Sequence, residues 1–429
     1  MNAMKSGLPF GPADILLPRD CDMSLWSVVA CDQYTSRPDY WQRVENRVGR
    51  APSTLRMILP ESCLEGPSVE TDIMEINNTM SRYLREGRFQ EYPDALIYVE
   101  RTLDSGKVRR GLVGAVDLDA YDYEPCAVSP IRTTEGTVMS RIPPRVAVRK
   151  NAPIELPHVM LLMDDPQRAV IEPLSARTGE MECLYDFDLM ERGGHIKGWL
   201  LTEELKTSVL QALEEQKARA DRERDGLLFA VGDGNHSLAT AKACYERRKE
   251  MTDPSQWPGL LSRYALCELV NLHDDSLAFE PIHRVVFGVR PEALLDAMGR
   301  YYPDALRGIQ LDQRVREIAQ CIPFVYREGE GEFALLHSSS LTESGALHDF
   351  LDYYIAAHPR VRVDYIHGAD EARRLAQDRE DALAFLLPAM DKGDLFPSIL
   401  HHGALPRKTF SMGEAHDKRF YLEARKIRT

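Results

Sequence analysis

The most informative segment of the chain is "LLFAVGDGNHSLATAKACYERR", residues 227–248. Its first five residues, 227–231, are apolar and predict a buried strand. Two glycines follow within "GDGN", residues 232–235, and glycine permits the backbone turns that other residues resist. The residues after the glycines place three apolar side chains on one face of a helix: Leu238, Ala241 and Tyr245. The segment is therefore predicted to pass from a strand through a tight turn directly into a helix.

Such a turn suits an anion. The first backbone amides of a helix have no intrahelical partners, and the helix dipole places partial positive charge there. Phosphate is the usual ligand of such a helix end. We interpret Asn235 as the N-cap, His236 as a partner for a phosphate oxygen or a proton relay, and Asp233 as an oxygen ligand for a divalent metal. Strand–glycine–helix junctions also occur as plain tight turns, and the spacing leaves both interpretations open.

Two common nucleotide motifs are absent from the sequence. The G-x-G pattern occurs at 232–234, but Ser237 stands where the dinucleotide-binding pattern needs its third glycine. The phosphate-loop pattern G-x-x-x-x-G-K-[ST] does not occur either. The turn therefore predicts an anion without identifying which one.

Composition narrows the functional class. The 429 residues include 53 Lys plus Arg against 67 Asp plus Glu, a net charge of -14. This charge argues against a nucleic-acid binder or a binder of anionic membranes, since both need clustered positive charge. We find neither an apolar stretch of membrane-spanning length nor a signal peptide, and the 8 cysteines form no C-x-x-C pair. We expect a cytoplasmic protein with a small-molecule ligand, and its oligomeric state is left open.

The chain is too long for one ordinary hydrophobic core, so we expect two domains. Strand-like and helix-like segments interleave throughout, which favours an α/β or mixed α+β fold. For example, "ALIYVERTL" (95–103) and "RRGLVGAVDL" (109–118) predict a hairpin around the turn residues "DSGK". The pattern changes after "HRVVFGV" (283–289). We therefore predict an N-terminal α/β domain over 1–290 and a smaller C-terminal α/β domain over 291–429.

Five ordered segments of the chain resemble the domain-of-unknown-function family 1015. They are "VVACDQYTS" (28–36), "RRGLVGAVDLDAYDYEP" (109–125), the turn itself, "LVNLHDDSLAFEPIHRVV" (269–286) and "LPRKTF" (405–410). The resemblance spans nearly the whole chain.

The turn also resembles, more distantly, the D-G-H-H-R helix start of the ParB/sulfiredoxin superfamily, which includes a free-serine kinase. That resemblance implies a nucleotide-binding α/β core, elaborated here with extra strands, and phosphate chemistry. Asp233, Gly234 and His236 match the pattern, whereas Asn235 replaces its first His. Ser237 replaces the Arg that would pair with phosphate, so another cation has to substitute for that Arg.

A second motif of the resemblance is altered as well. The family's "PHExT" reads "PIRTT" at 130–134, with Arg132 in the carboxylate position. We hypothesise that Arg132 supplies the cation missing at Ser237 and that Glu135 supplies the missing acid. An exposed loop without function explains the same residues.

Further along the chain, His283 and Arg284 follow "NLHDD" (271–275) and could hold a metal or a phosphate, although a capped strand end explains this cluster equally well. Arg407 and Lys408 lie in a basic loop suited to phosphate. The predicted site comprises Asp233, His236 and Glu135 as reacting groups, Asp233 as the metal ligand, and Gly232, Gly234, Asn235, Ser237, Arg132, His283, Arg284, Arg407 and Lys408 as binding groups.

These predictions favour an enzyme that binds ATP, ADP or another nucleotide with Mg and transfers a phosphoryl group to a small polar metabolite. The alternative is a module that senses a nucleotide or metabolite without catalysis. Both would use the same anion site, so the sequence leaves the choice open.

Overall fold

The computed structural model describes residues 7–35, 37–64, 66–309, 311–338, 340, 342–406 and 408–428. The chain forms two compact units, one of residues 1–277 with 413–429 and the other of residues 278–412. This division differs from the expected boundary at residue 291, because the strand over 279–287 pairs within the second unit. The final residues of the chain return to the first unit.

The first unit alternates helices with strands. Its helices are α1 (Met23–Trp26), α2 (Pro38–Val48), α3 (Val69–Arg85), α4 (Ile142–Arg149), α5 (Glu203–Glu223) and α6 (Asn235–Glu250). Its strands as far as residue 277 are β1 (Phe10–Gly11), β2 (Ala13–Pro18), β3 (Val28–Val29), β4 (Phe89–Ala95), β5 (Ile97–Thr102), β6 (Val108–Asp117), β7 (Tyr121–Asp122), β8 (Ile131–Thr133), β9 (Ile154–Glu155), β10 (Met160–Met163), β11 (Glu182–Asp188), β12 (His195–Leu200), β13 (Phe229–Asp233) and β14 (Tyr264–Asn271).

A large mixed sheet organises this unit. Within the described residues it has 10 strands, in the order β11-β12-β5-β6-β14-β10-β13-β8-β7, with β1 paired to β6. Neighbours are parallel at β14–β10, β13–β8 and β8–β7, and antiparallel at the other pairs. The predicted hairpin is confirmed as β5 and β6. The predicted mixed α/β class is also confirmed.

The register of β13 determines what surrounds the glycine turn. Because β13 runs antiparallel to β10, Asp233 at its end lies opposite Met160 at the start of β10. Because β13 runs parallel to β8, the residues that follow both strands emerge at the same edge of the sheet. The turn therefore meets the segment before β10 and the loop after β8.

Apolar packing holds α6 on the sheet. Leu238, Ala241 and Tyr245 are buried in one core with Phe229 and Val231 of β13, as the helical spacing predicts. Their burial contributes on the order of 25 cal/mol for each Å² of apolar surface removed from water. The glycine turn is thus held between two packed elements.

The second unit contains, in chain order, β15 (Phe279–Phe287), α7 (Pro291–Tyr301), β16 (Leu306–Gly308), α8 (Gln313–Ile318), β17 (Gln320–Tyr326), β18 (Gly329–Leu335), α9 (Glu343–Ala357), β19 (Arg362–His367), α10 (Ala369–Gln377), β20 (Ala382–Phe385), α11 (Leu395–His402) and β21 (Phe410–Met412). Its sheet is antiparallel, in the order β16-β18-β17-β20-β15-β19, with β21 paired to β15. Leu294, Met298, Phe324, Phe350 and Phe385 belong to its core.

The chain then adds two short strands to the first unit. β22 (Phe420–Tyr421) pairs with β3, and β23 (Arg425–Lys426) pairs with β9. The indole Nε1 of Trp26 donates to the Leu422 carbonyl at 3.0 Å. Among the described helices, none combines the length and the apolar character needed to cross a membrane.

Candidate functional site

The backbone of the turn is defined by Gly234. This residue has φ 80° and ψ 26°, in the left-handed region, and α6 begins immediately after it at Asn235. Gly234 is therefore the N-cap, and the prediction that Asn235 caps the helix is wrong. Since glycine carries no side chain, the N-cap forms no side-chain hydrogen bond to the first turn of α6. Helix geometry leaves the amides of that turn without intrahelical partners, so they are suited to an anion.

Packing also requires glycine at this position. A Cβ atom at Gly234 would lie 3.0 Å from the Cα atom of Val159 and 3.1 Å from its Cγ2 atom. The positive φ disfavours any other residue as well. Glycine at 234 is thus explained by the fold alone, and the case for a ligand depends on the neighbouring groups.

The loop after β8 wraps the first turn of α6. The Thr133 hydroxyl lies 2.6 Å from Asn235 Oδ1 and 2.7 Å from the Glu135 carbonyl oxygen. The Val138 amide donates to His236 Nε2 at 3.2 Å. Because Nε2 accepts, a neutral His236 ring carries its proton on Nδ1. The structure thus brings the backbone of Glu135 beside the turn, and the role hypothesised for its carboxylate stays a prediction.

Arg132 does not supply the missing cation. Its guanidinium donates to the carbonyls of Ser129 and Asp225, at 2.9 and 3.2 Å. Ser129 precedes β8 and Asp225 precedes β13, so the guanidinium is held toward the end of these strands that is opposite the turn. The hypothesis that Arg132 replaces the Arg lost at Ser237 is therefore wrong.

Lys418 is the cation that the structure brings to the turn. Its Nζ lies 3.5 Å from Asp233 Oδ2, while Asp233 Oδ1 accepts the Gly234 amide at 2.9 Å. Sequence reasoning missed Lys418 because it lies far along the chain in "AHDKRF", a segment without a motif. The pairing of β22 with β3 carries it to the first unit.

His158 is a second group that sequence reasoning missed. Its Nε2 lies 3.3 Å from Ser237 Oγ and 3.8 Å from Asp32 Oδ1. Its Nδ1 lies 2.9 Å from the Tyr421 hydroxyl, which donates to Cys31 Sγ at 2.9 Å. His158 lies just before β10, and only the antiparallel register of β10 and β13 reveals its neighbours. The result is a half-buried polar cluster against the first turn of α6.

The charge state of this cluster follows from its geometry. Burial alone would raise the pKa of Asp32, but His158, the hydrogen bond from Gln33 and the charge of Lys418 outweigh it and leave the pKa lowered. Asp32 is therefore a carboxylate at neutral pH. Burial, followed by the charge of Asp32, raises the pKa of Cys31 to about 12. The Cys31 thiol is consequently protonated and a poor nucleophile.

A cavity of about 150 Å³ lies beside this cluster, within the first unit. Ser237, His158 and Tyr421 line its polar side. Its charged groups Arg145 and Arg149 are ion-paired with Glu61 and Glu155. Apolar side chains line much of the remainder, among them Met57, Leu59, Met80, Val148, Leu238 and Ala265. The first turn of α6 thus adjoins a space that can hold part of a small ligand.

The metal hypothesis depends on Asp233. Among the described residues, no group of three or more His, Cys, Asp or Glu side chains is placed to hold a metal ion. Magnesium, however, is commonly bound through one or two carboxylates together with substrate phosphates and water. The carboxylate of Asp233, beside the uncapped end of α6, fits that kind of binding. The other metal site considered from sequence was the cluster "NLHDD" (271–275). In this cluster, His273 Nε2 lies 2.7 Å from Asp164 Oδ1 and is engaged by it.

The remaining candidates belong to the second unit. His283 is buried, its Nδ1 accepts the Leu387 amide at 3.1 Å, and burial, followed by the charge of Arg284, lowers its pKa. Arg284 donates to Ser344 Oγ at 3.2 Å and to the Lys408 carbonyl at 2.9 Å. These bonds give His283 and Arg284 structural partners and bring the segments around 284 and 408 together. Arg407 lies outside the described residues.

Comparison with known families identifies the chain. The family described as "Protein of unknown function (DUF1015)" matches residues 14–359. The chain belongs to this family. The resemblance is thereby confirmed over the matched residues, which contain four of the five segments, whereas the segment at 405–410 lies beyond the match. A comparison with curated proteins gave no match.

Solved structures show distant similarity. A mutant of free serine kinase in complex with AMP has 10% identity and a TM-score of 0.42, covering 73% of this chain and 91% of that one. Another mutant of free serine kinase, in complex with ADP, has 11% identity and a TM-score of 0.42, covering 75% and 93%. A conserved hypothetical protein from Pyrococcus furiosus has 10% identity and a TM-score of 0.40, covering 73% and 94%. At these values the similarity carries no argument about ligand or chemistry.

Proposed function

We propose that the turn over 232–237 binds a phosphate group of a nucleotide or of another phosphorylated small molecule. One observation carries the proposal: α6 begins without a side-chain cap directly beside a cavity lined by Ser237 and His158. An uncapped helix start offers both hydrogen-bond donors and partial positive charge. The cavity provides space for the rest of the ligand.

Nearby side chains complete this site. Lys418 would neutralise phosphate charge in place of the Arg that Ser237 replaces, because its ammonium already lies at the turn. Asp233 would hold Mg²⁺ that is also bound by the phosphate oxygens. Gly232 and Gly234 keep side chains away from the backbone that faces the ligand. His236, fixed through Nε2 by the Val138 amide, would donate from Nδ1.

The reaction that this arrangement supports best is phosphoryl transfer to a hydroxyl group of a small polar metabolite. In this reaction the hydroxyl oxygen bonds to phosphorus, the bond to the leaving phosphate oxygen breaks, and the hydroxyl proton passes to a base. His158 is well placed as that base, since Asp32 would stabilise the resulting imidazolium. Glu135 is the alternative base suggested by sequence.

Binding is tested by the melting temperature in the presence of ATP, ADP or CTP with Mg²⁺. We expect at least one nucleotide to raise the Tm of the native chain and to have a much smaller effect on Lys418→Gln. Lys426→Gln is the matched control, because Lys426 lies on the same returning segment but pairs with Glu91. A native chain whose Tm no nucleotide changes would contradict the proposal.

Turnover is tested separately, by incubating the protein with the bound nucleotide, Mg²⁺ and a metabolite pool and searching for a new phosphorylated product by mass spectrometry. We expect His158→Gln to lower the rate more than Glu135→Gln while nucleotide binding persists. Tight binding without any product would instead favour the sensing module.

A further inference from the structure

A second cavity, of about 190 Å³, lies at the opposite end of α6 from the turn. It is formed within the first unit, where the ends of α4 and α6 approach residues 427–428. Polar and positively charged residues that line it include Lys150, Asn151, Arg247, Arg248, Ser262 and Arg428. Among the described residues that line this cavity there is no aspartate or glutamate. A basic cavity is unexpected in a chain with a net charge of -14.

Among the described residues, four of the five cations that line this cavity have no acidic partner. Arg149, which also lines it, is paired with Glu155. In the part of the chain that the structure describes, the other four cations form no ion pair, and Arg428 donates to the Lys150 carbonyl. Burial, followed by the charge of Arg248, lowers the pKa of Arg428. Within the described residues, these four positive charges therefore lie close together without a paired acidic side chain.

Helix dipoles do not account for this charge. Basic residues in the last turns of α4 and α6 are favourable, because each helix end carries about half a negative charge. Two helix ends offset about one of the four positive charges, and the exposed side chains of Lys150 and Arg247 are also solvated, so solvent counter-ions or a ligand balance the remainder. In addition, the Ser262 hydroxyl is buried and has no hydrogen-bond partner among the described residues. Both observations favour an anionic ligand.

We propose that this cavity is a second anion-binding site, which takes a compact polyanion with two or more phosphoryl groups. One arginine guanidinium group can donate two parallel hydrogen bonds to the oxygens of a phosphate. Because several cations line this cavity, a ligand that balances them carries more than one negative charge. Ser262 would donate its hydroxyl to the same ligand. With a helical rise of ~1.5 Å per residue, Arg247 lies ~18 Å along α6 from Asn235. A ligand that fills this cavity does not reach the turn, so the second site is independent of the function proposed there.

Titration calorimetry with pyrophosphate and tripolyphosphate tests the proposal, with chloride and sulfate at matched ionic strength for comparison. We expect the double variant Arg247→Gln/Arg248→Gln to bind pyrophosphate at this site at least tenfold more weakly than the native chain. Arg219→Gln/Arg222→Gln is the matched control, because it removes the same charge from the end of α5. Circular dichroism would establish that both double variants are folded.

The variant Lys418→Gln distinguishes anion binding at the turn from anion binding in this cavity. This variant should retain the pyrophosphate binding that Arg247→Gln/Arg248→Gln loses, whether or not the function proposed for the turn holds. The milder variant Arg428→Gln should weaken binding as well. The proposal would be overturned if the native chain and the double variant bound pyrophosphate equally. It would also be overturned if chloride and sulfate gave the same heats of binding as pyrophosphate, because the cavity would then attract only non-specific counter-ions.

Discussion

At the scale of single residues, Gly234 shows that a motif can have a structural cause. Its left-handed backbone and its contact with Val159 would select glycine in the absence of any ligand. The evidence for a ligand comes from the groups around Gly234, which are the uncapped amides of the first turn of α6 and the side chains of Lys418 and His158. Substitutions at Gly234 consequently test the fold first and the site second.

We predict that Gly234→Ala destabilises the protein by more than the ~1–2 kcal/mol that a left-handed conformation costs an L-residue. The added Cβ would press against the Val159 backbone. Gly87→Ala is the control, since Gly87 has φ 67° but no heavy atom within 4 Å of an added Cβ. Urea unfolding of both variants measures the difference, and equal losses would show that the Val159 contact is unimportant.

Cys31 should resist alkylation. Only the thiolate reacts, and burial raises the pKa of Cys31 to about 12. In the folded protein at mildly alkaline pH, we expect iodoacetamide to modify the exposed Cys126 far faster than Cys31. Peptide mass spectrometry over a time course measures both rates. Comparable rates would mean that the cluster around Tyr421 is open to solvent.

At the scale of elements, a buried charge network ties the returning segment to the sheet. Arg419 pairs with Glu268 of β14 and with Glu423, and all three side chains are almost fully buried. Arg109 of β6 lies 3.9 Å from Glu268 on its other side. Buried pairs add little net stability, but removing one partner leaves an uncompensated charge.

We therefore expect Glu268→Gln to destabilise the first unit by about 3–5 kcal/mol. Glu180→Gln removes an exposed ion pair with Arg177 and should have little effect. Chemical denaturation at neutral pH, followed by a probe in the first unit, compares the two variants. Similar stability of both would contradict the importance of the network.

The same network predicts a pH dependence. Burial alone would raise the pKa of Glu268, but Arg419, Arg109 and Arg101 outweigh it and leave the pKa lowered. A carboxyl with a lowered folded-state pKa stabilises the protein above its unfolded-state pKa and loses that contribution as the pH falls through the folded value. The stability gap between the native chain and Glu268→Gln should accordingly shrink on acidification. A stability gap that is constant with pH would show that the pKa of Glu268 is the same in the folded and the unfolded protein.

Elements with local signals could be predicted from sequence, and their spatial neighbours could not. The strand and helix around the turn, the packed face of α6 and the β5–β6 hairpin all follow from periodicity and turn chemistry. Lys418 and His158 reach the turn through strand pairings between segments far apart in the chain. Arg132 was misassigned because the side-chain direction on the short strand β8 depends on its register with β13.

At the scale of the whole molecule, the first unit is discontinuous in sequence. Residues 278–412 are inserted between its two parts. No composition change marks the return, because β22 and β23 are too short to produce a periodic pattern. The expected division at 291 relied on such a change and so did not anticipate that the chain returns.

Ending the chain at Met412 should unfold the first unit and spare the second. The truncation removes Arg419 and Arg425, which leaves Glu268 and Glu155 buried without these partners. Hydrogen exchange followed by mass spectrometry should show lost protection in β13 and β14 and retained protection in β17 and β18. Equal protection of both units would show that the returning segment is dispensable.

The discontinuity also affects the order of events during synthesis. Domains generally fold from the N-terminus as the ribosome extends the chain. Here the sheet that carries the glycine turn lacks Arg419 and Arg425 until the whole inserted unit has been synthesised. A nascent chain therefore exposes an incomplete first unit while the second unit emerges from the ribosome. We expect ribosome-stalled chains that end before residue 413 to recruit chaperones, and longer ones to release them.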